Sequence, residues 1–131
     1  MINYEYYNAN PKNKKTTDCV VRALVVATGK SYETVLRELV ELSLQTGWFI
    51  AEKRLEDRFL ELNGFIKHKQ PRKWYDGSKY DIGEIDELED CLDKIVIIRC
   101  THHLTVVKDF TLYDIWDCRG RTILNYYTKQ R

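Results

Sequence analysis

The 131-residue chain has no Cys-x-x-Cys pair, no apolar run approaching the length of a membrane span, and no excess of charge of one sign. Each absence removes a class of protein. Without paired cysteine spacing, Cys19, Cys91, Cys100 and Cys118 do not form the pattern of a zinc ribbon or of a small disulfide scaffold. Without a membrane-length apolar stretch, no spanning helix and no membrane partner is expected. Twenty-one basic residues against 20 acidic ones leave a net charge of +1, and a polyanion binder usually carries a clear basic excess, so no nucleic-acid partner is expected. The basic groups Lys12, Lys14, Lys15 and Lys67, Lys69, Arg72, Lys73 read as solvated loops. The first residues are polar and aromatic and do not form a basic segment followed by an apolar one, which predicts a cytoplasmic chain with reduced thiols. There are no repeats, linkers or low-complexity stretches, and the length suits a single domain spanning residues 1 to 131.

What is present divides into a helical half and a strand half. A tyrosine-rich extended segment and a polar loop around Asn8, Asn10 and Pro11 lead to a helix over residues 19 to 28, stopped by Gly29. Its apolar residues cover nearly the whole circumference, which predicts a central, buried helix. Ser31 caps a second helix running to about Leu44, with Gly47 behind it, and residues 50 to 62 have the period of a third, closed by Asn63-Gly64. The stretch from Phe65 to Asp81 reads as irregular, and Gly83 to Leu92 as a short acidic helix. The period then changes. KIVIIRC (94 to 100) is a continuous β-branched run suited to a central strand, and residues 102 to 109, 111 to 117 and 121 to 128 read as three more strands with short connections. Helices followed by an antiparallel meander predict an α+β fold, with N-terminal helices packed on a C-terminal antiparallel β-sheet.

The chemistry centres on Cys19, at the first turn of the apolar helix. Unpaired N–H groups and the positive end of the helix dipole favour a thiolate at such a position, and Asp18 is placed to cap the turn. The strand half supplies a base. If residues 102 to 109 and 111 to 117 form a hairpin, a turn at Asp109-Phe110 sets His103 opposite Trp116. A three-residue turn sets it opposite Asp117, and a turn one residue later opposite Cys118. Asp117 is therefore the first candidate to orient the imidazole. Asp114, which falls opposite Thr105 or a neighbour, is the second. His102 and His103 alternate in direction, so only one faces the cleft, and periodicity does not select it. A weaker metal reading would use Cys100, His102 and Cys118, but no fourth ligand is evident; the site is expected to hold no metal and no cofactor.

Asp18-Cys19 opening an apolar helix with Arg22-Ala23 one turn on, His103-Leu104-Thr105 on a strand, and Tyr113-Asp114-x-Trp116-Asp117 before a Gly-Arg turn resemble the papain-like cysteine peptidase superfamily. The likeness is to its small bacteriophage and bacterial members and, more distantly, to the peptidases that process bacteriocin leaders. It extends over roughly residues 8 to 128. The resemblance implies a papain-like fold with Cys19 as nucleophile, His103 as general base and Asp117 as orienter, acting on a protein or peptide substrate. A papain-like site also has a glutamine several residues before the cysteine as an oxyanion donor. Here no glutamine precedes Gln45, and Asn13 or Asn10 offers the same amide on a shorter arm. The expected activity is hydrolysis of a peptide, isopeptide or related amide bond through an acyl-thioenzyme. The alternative is a non-catalytic phage or bacterial interaction protein, or a host inhibitor, on the same scaffold.

Overall fold

A computed structural model describes residues 1 to 91 and 95 to 129. Three helices, α1 (Cys19–Thr28), α2 (Tyr32–Thr46) and α3 (Lys53–Leu62), precede most of a six-stranded sheet: β1 (Asn3–Tyr6), β2 (Phe65–His68), β3 (Ile95–Cys100), β4 (His103–Lys108), β5 (Thr111–Asp114) and β6 (Asn125–Lys129). The class is α+β.

The helix ends follow local chemistry. Gly29 and Gly47 take the left-handed conformation at φ 76°, and their N–H groups close on the Val25 and Ser43 carbonyls. The Ser31 hydroxyl accepts the Thr34 N–H at 3.1 Å. Asp18, however, does not cap α1 with its side chain. Its carboxylate turns to other side chains, which matters for the site.

The sheet is mixed, not the antiparallel meander that the sequence suggests. Its order is β1-β5-β4-β3-β6-β2. The β3-β4-β5 segment does meander, but β1 lies parallel to β5 and occupies its outer edge. The chain after β5 therefore crosses to the far side of β3, where β6 pairs antiparallel between β3 and β2. β2, within the stretch expected to be irregular, is four residues with two polar side chains at the sheet edge, too short for a period to register. The expected acidic helix is two 3₁₀ turns, Ile82–Glu87 and Glu89–Cys91. Its expected last residue, Leu92, and the first residue of the strand after it, Lys94, lie outside the described residues.

Both faces of the sheet are covered. Ile97, Leu104, Val106 and Tyr127 pack with the helices, whereas Val96, Ile98, Val107 and Leu112 pack with Ile82, Ile85, Cys118 and Ile123 on the opposite face. β3, fourth in the order, is thus buried on both sides, as its continuous apolar run requires. α1 lies chiefly against β4. Among the described residues, no helix is long and apolar enough to cross a membrane. Of the basic groups, Lys12, Lys14 and Lys15 are exposed, while Lys67 and Lys73 pair with Asp57 and Glu84.

Candidate functional site

His103 opens β4 and Asp114 closes β5, so both stand at one end of the sheet, beside the start of α1. Asp109 and Phe110 set the register between them. Both are left-handed, at φ 50° and 61°, and form a two-residue turn of the type that matches strand twist. The ladder then pairs Val106 with Tyr113; continued in the same register it sets Thr105 against Asp114 one step on and His103 against Trp116 three steps on. The contacts agree: Thr105 Oγ1 donates to Asp114 Oδ2 at 2.7 Å, and the His103 and Trp116 rings are 5.2 Å apart.

Asp114 reaches His103 diagonally. Its Oδ2 lies 2.6 Å from His103 Nε2. Asp117, the first candidate for this role, lies beyond the end of β5 and is exposed. Its carboxylate holds Arg119 instead, with Oδ1 2.9 Å from Nε and Oδ2 2.8 Å from Nη2. The reason is the turn: a two-residue turn gives His103 an aromatic cross-strand partner and moves Asp117 out of reach. His102, the other histidine candidate, occupies the turn between β3 and β4 at φ 56° and is exposed at the rim of the cleft.

The Asp114 carboxylate is only 2% exposed and fully engaged. Oδ2 takes His103 and Thr105 and, at 3.8 Å, the Cys118 thiol; Oδ1 takes the Ile115 N–H at 2.7 Å and Arg22 Nη1 at 2.8 Å. Burial raises its pKa, but these bonds, first among them that from His103, outweigh burial and hold it below the ordinary carboxylate range. For His103, burial disfavours the charged ring, yet the bond to Asp114 and the nearby thiols of Cys118 and Cys19 prevail and push its pKa up to about 11. The ring is an imidazolium at neutral pH.

Cys19 is half-buried and shares with His103 the lining of a cleft of about 460 Å³, near enough to the ring to help raise its pKa. Ala51, Lys53, Glu56, Arg99, His102 and Leu124 also line the cleft. Burial lifts the Glu56 carboxyl above its usual range although Arg99 Nη2 is 3.0 Å away. Since Asp114 holds Nε2, the remaining ring nitrogen of His103 is the one left for a thiol.

Neither asparagine proposed for the oxyanion lines this cleft. The Asn10 side-chain amide donates to Asp18 Oδ2 at 3.1 Å and lies 3.5 Å from the Tyr32 hydroxyl, so it ties the loop before Cys19 to α2. Asn13 is exposed in a left-handed turn at φ 53°, its N–H bonded to the Asn10 carbonyl.

Two further residues belong to this centre. Arg22 joins Asp18 to Asp114, and the spacing of Cys19 and Arg22 on one helix face was the signal available for it. Cys118, fully buried, was legible in the sequence only through the metal reading with Cys100 and His102 and one hairpin register; its contact with Asp114 was not readable, because its place depends on the crossing after β5. The ligand atoms of His103, Asp114 and Cys118 lie within 4.8 Å of one another. Asp114 already accepts His103, Thr105 and a guanidinium, which is a hydrogen-bonded cluster and not an open cation site. Cys100 pairs with His103 at the base of the β3-β4 turn, and burial pushes its thiol pKa up.

Comparison with protein-family models, with curated proteins and with solved structures gave no match to this chain.

Proposed function

We propose that the chain is a cysteine hydrolase on a papain-like scaffold, cleaving a peptide, isopeptide or related amide bond. The observation that carries this reading is the 2.6 Å bond from His103 Nε2 to Asp114, with Cys19, at the start of a buried helix, lining the same cleft as that ring. In this reading Asp114, not Asp117, orients the base. The proton given up by Cys19 is held on the His103 ring as a thiolate–imidazolium pair, and the sulfur attacks the substrate carbonyl carbon while its oxygen takes up the displaced electron pair. Collapse of that intermediate breaks the C–N bond, and His103 returns the proton to the departing amine. Water then attacks the thioester with His103 as base, which releases the acid and restores the thiol. The Cys19 backbone N–H, at the helix start, is the oxyanion donor this arrangement favours.

A second reading, a phage or bacterial interaction protein that does not turn over substrate, is favoured by one observation: the Asn10 amide is committed to Asp18, so the side-chain oxyanion donor is unassigned. A peptide library incubated with the wild type and with Cys19→Ala, with new termini read by mass spectrometry, separates the two. The hydrolase reading predicts cleavage by the wild type alone. Identical product lists, together with no covalent capture of Cys19 by a peptidyl electrophile, would favour the binding reading.

A further inference from the structure

α1 is the most apolar helix of the chain, yet one of its buried residues is Arg22. Its guanidinium is clamped at both ends: Nε donates to Asp18 Oδ1 at 2.8 Å and Nη1 to Asp114 Oδ1 at 2.8 Å. Asp18 is in turn held by the Tyr32 hydroxyl at 2.7 Å and by Asn10. A buried ion pair contributes little net stability compared with apolar side chains of the same volume, so stability alone gives no reason for a guanidinium here. Its geometry does give one. The rotation of a carboxylate is set by what holds each oxygen, and in Asp114 the Arg22 guanidinium shares Oδ1 with the local Ile115 N–H while His103 and Thr105 share Oδ2, so Arg22 is the charged side chain that fixes Oδ1 from across the core.

We infer that Arg22 is a positioning residue: anchored by Asp18, it fixes the rotation of the Asp114 carboxylate so that Oδ2 meets His103 Nε2 and the other ring nitrogen faces Cys19. The inference rests on the reading of Cys19 and His103 as a catalytic pair. It has a charge corollary. Two buried carboxylates and one guanidinium leave one negative charge, which a protonated His103 balances. Lysine would keep the charge of Arg22 but, as a point charge, would lose the planar fork that reaches both carboxylates.

The test is the titration of His103 by NMR in the wild type, Arg22→Lys and Arg22→Met, with its downfield Nε2–H signal as a second readout. Positioning predicts that R22K lowers the His103 midpoint by about one pH unit, a tenfold change in proton affinity, and loses the downfield signal. It also predicts that Cys19 alkylation by iodoacetamide at pH 7 slows by about tenfold. A guanidinium acting only as a nearby positive charge predicts the reverse pattern: no shift in R22K and a raised midpoint in R22M. An unchanged His103 titration in folded R22K would overturn the inference, and R22K decides the matter if R22M does not fold. Wild-type Cys19 reacting no faster than Cys19 in His103→Ala would remove the hydrolase reading, while the His103 titration would still decide whether Arg22 holds Asp114.

Discussion

His103 and Asp114 meet at 2.6 Å although they are not cross-strand partners; the carboxylate reaches the ring along the diagonal of a hairpin whose turn is Asp109-Phe110. Continued past the ladder, the register sets His103 against Trp116, and their ring centroids are 5.2 Å apart with the planes tilted by 51°. From this arrangement come unequal roles for the two aspartates.

Replacing Asp114 by Asn leaves Arg22 and His103 without their shared buried anion, and loss of one member of a buried pair costs about 3 to 5 kcal/mol. Replacing Asp117 by Asn removes only an exposed pair with Arg119, worth less than about 1 kcal/mol. Urea unfolding of both variants checks this. Equal losses would contradict the assignment of Asp114.

The network also fixes a pH dependence. His103 binds its proton more tightly folded than unfolded, so its contribution is whole below about pH 6.5 and is lost as pH rises toward about 11. Asp18 and Asp114 are held below the ordinary carboxylate range, so their contribution is whole above about pH 4 and is lost as pH falls through their folded values. The melting temperature of the wild type should decline between pH 7 and pH 9.5, and that of His103→Gln should decline less. Parallel curves would mean that His103 does not carry the linkage.

Asn10 should act as a structural tie. Removing its amide in Asn10→Ala loses a hydrogen bond to a charged group, about 1.5 to 3 kcal/mol, whereas Asn13→Ala, in an exposed loop, should stay within about 0.5 kcal/mol. Thermal unfolding distinguishes them. A stable Asn10→Ala variant would free Asn10 for the oxyanion role.

At the turn, Phe110 holds φ 61°, a conformation that a bulky side chain rarely adopts. Phe110→Gly should therefore stabilise the protein by about 1 kcal/mol, as measured by denaturant midpoint. A loss of stability would show that the Phe110 side chain contributes more than its backbone strain costs.

The legible parts of this chain were those written in local pattern. Ser31, Gly29 and Gly47 marked helix ends by capping chemistry, and the run from Ile95 to Cys100 declared a strand buried on both faces. Cys19 and His103 were legible as candidates because one stands at a helix start and the other on a strand. The choice between Asp114 and Asp117 was not, because it depends on one residue of hairpin register, and Asp109-Phe110 lacks the glycine that usually marks a left-handed turn. Sheet order was hidden for a related reason: the parallel pairing of β1 with β5 joins segments more than a hundred residues apart, and with that edge of β5 occupied β6 pairs on the far side of β3. The fate of Asn10 likewise followed from Tyr32 and Asp18 meeting in space.

The central claim is that His103 activates Cys19, and the most direct measurement is the rate of Cys19 alkylation by iodoacetamide as a function of pH, with the modified residue assigned by peptide mass. The account predicts that at pH 6 Cys19 in the wild type reacts at least about tenfold faster than in His103→Ala, and faster than an ordinary thiol with a pKa near 8.5. Buried Cys100 and Cys118 should stay protected. A wild-type rate at pH 6 equal to that of the variant would contradict it.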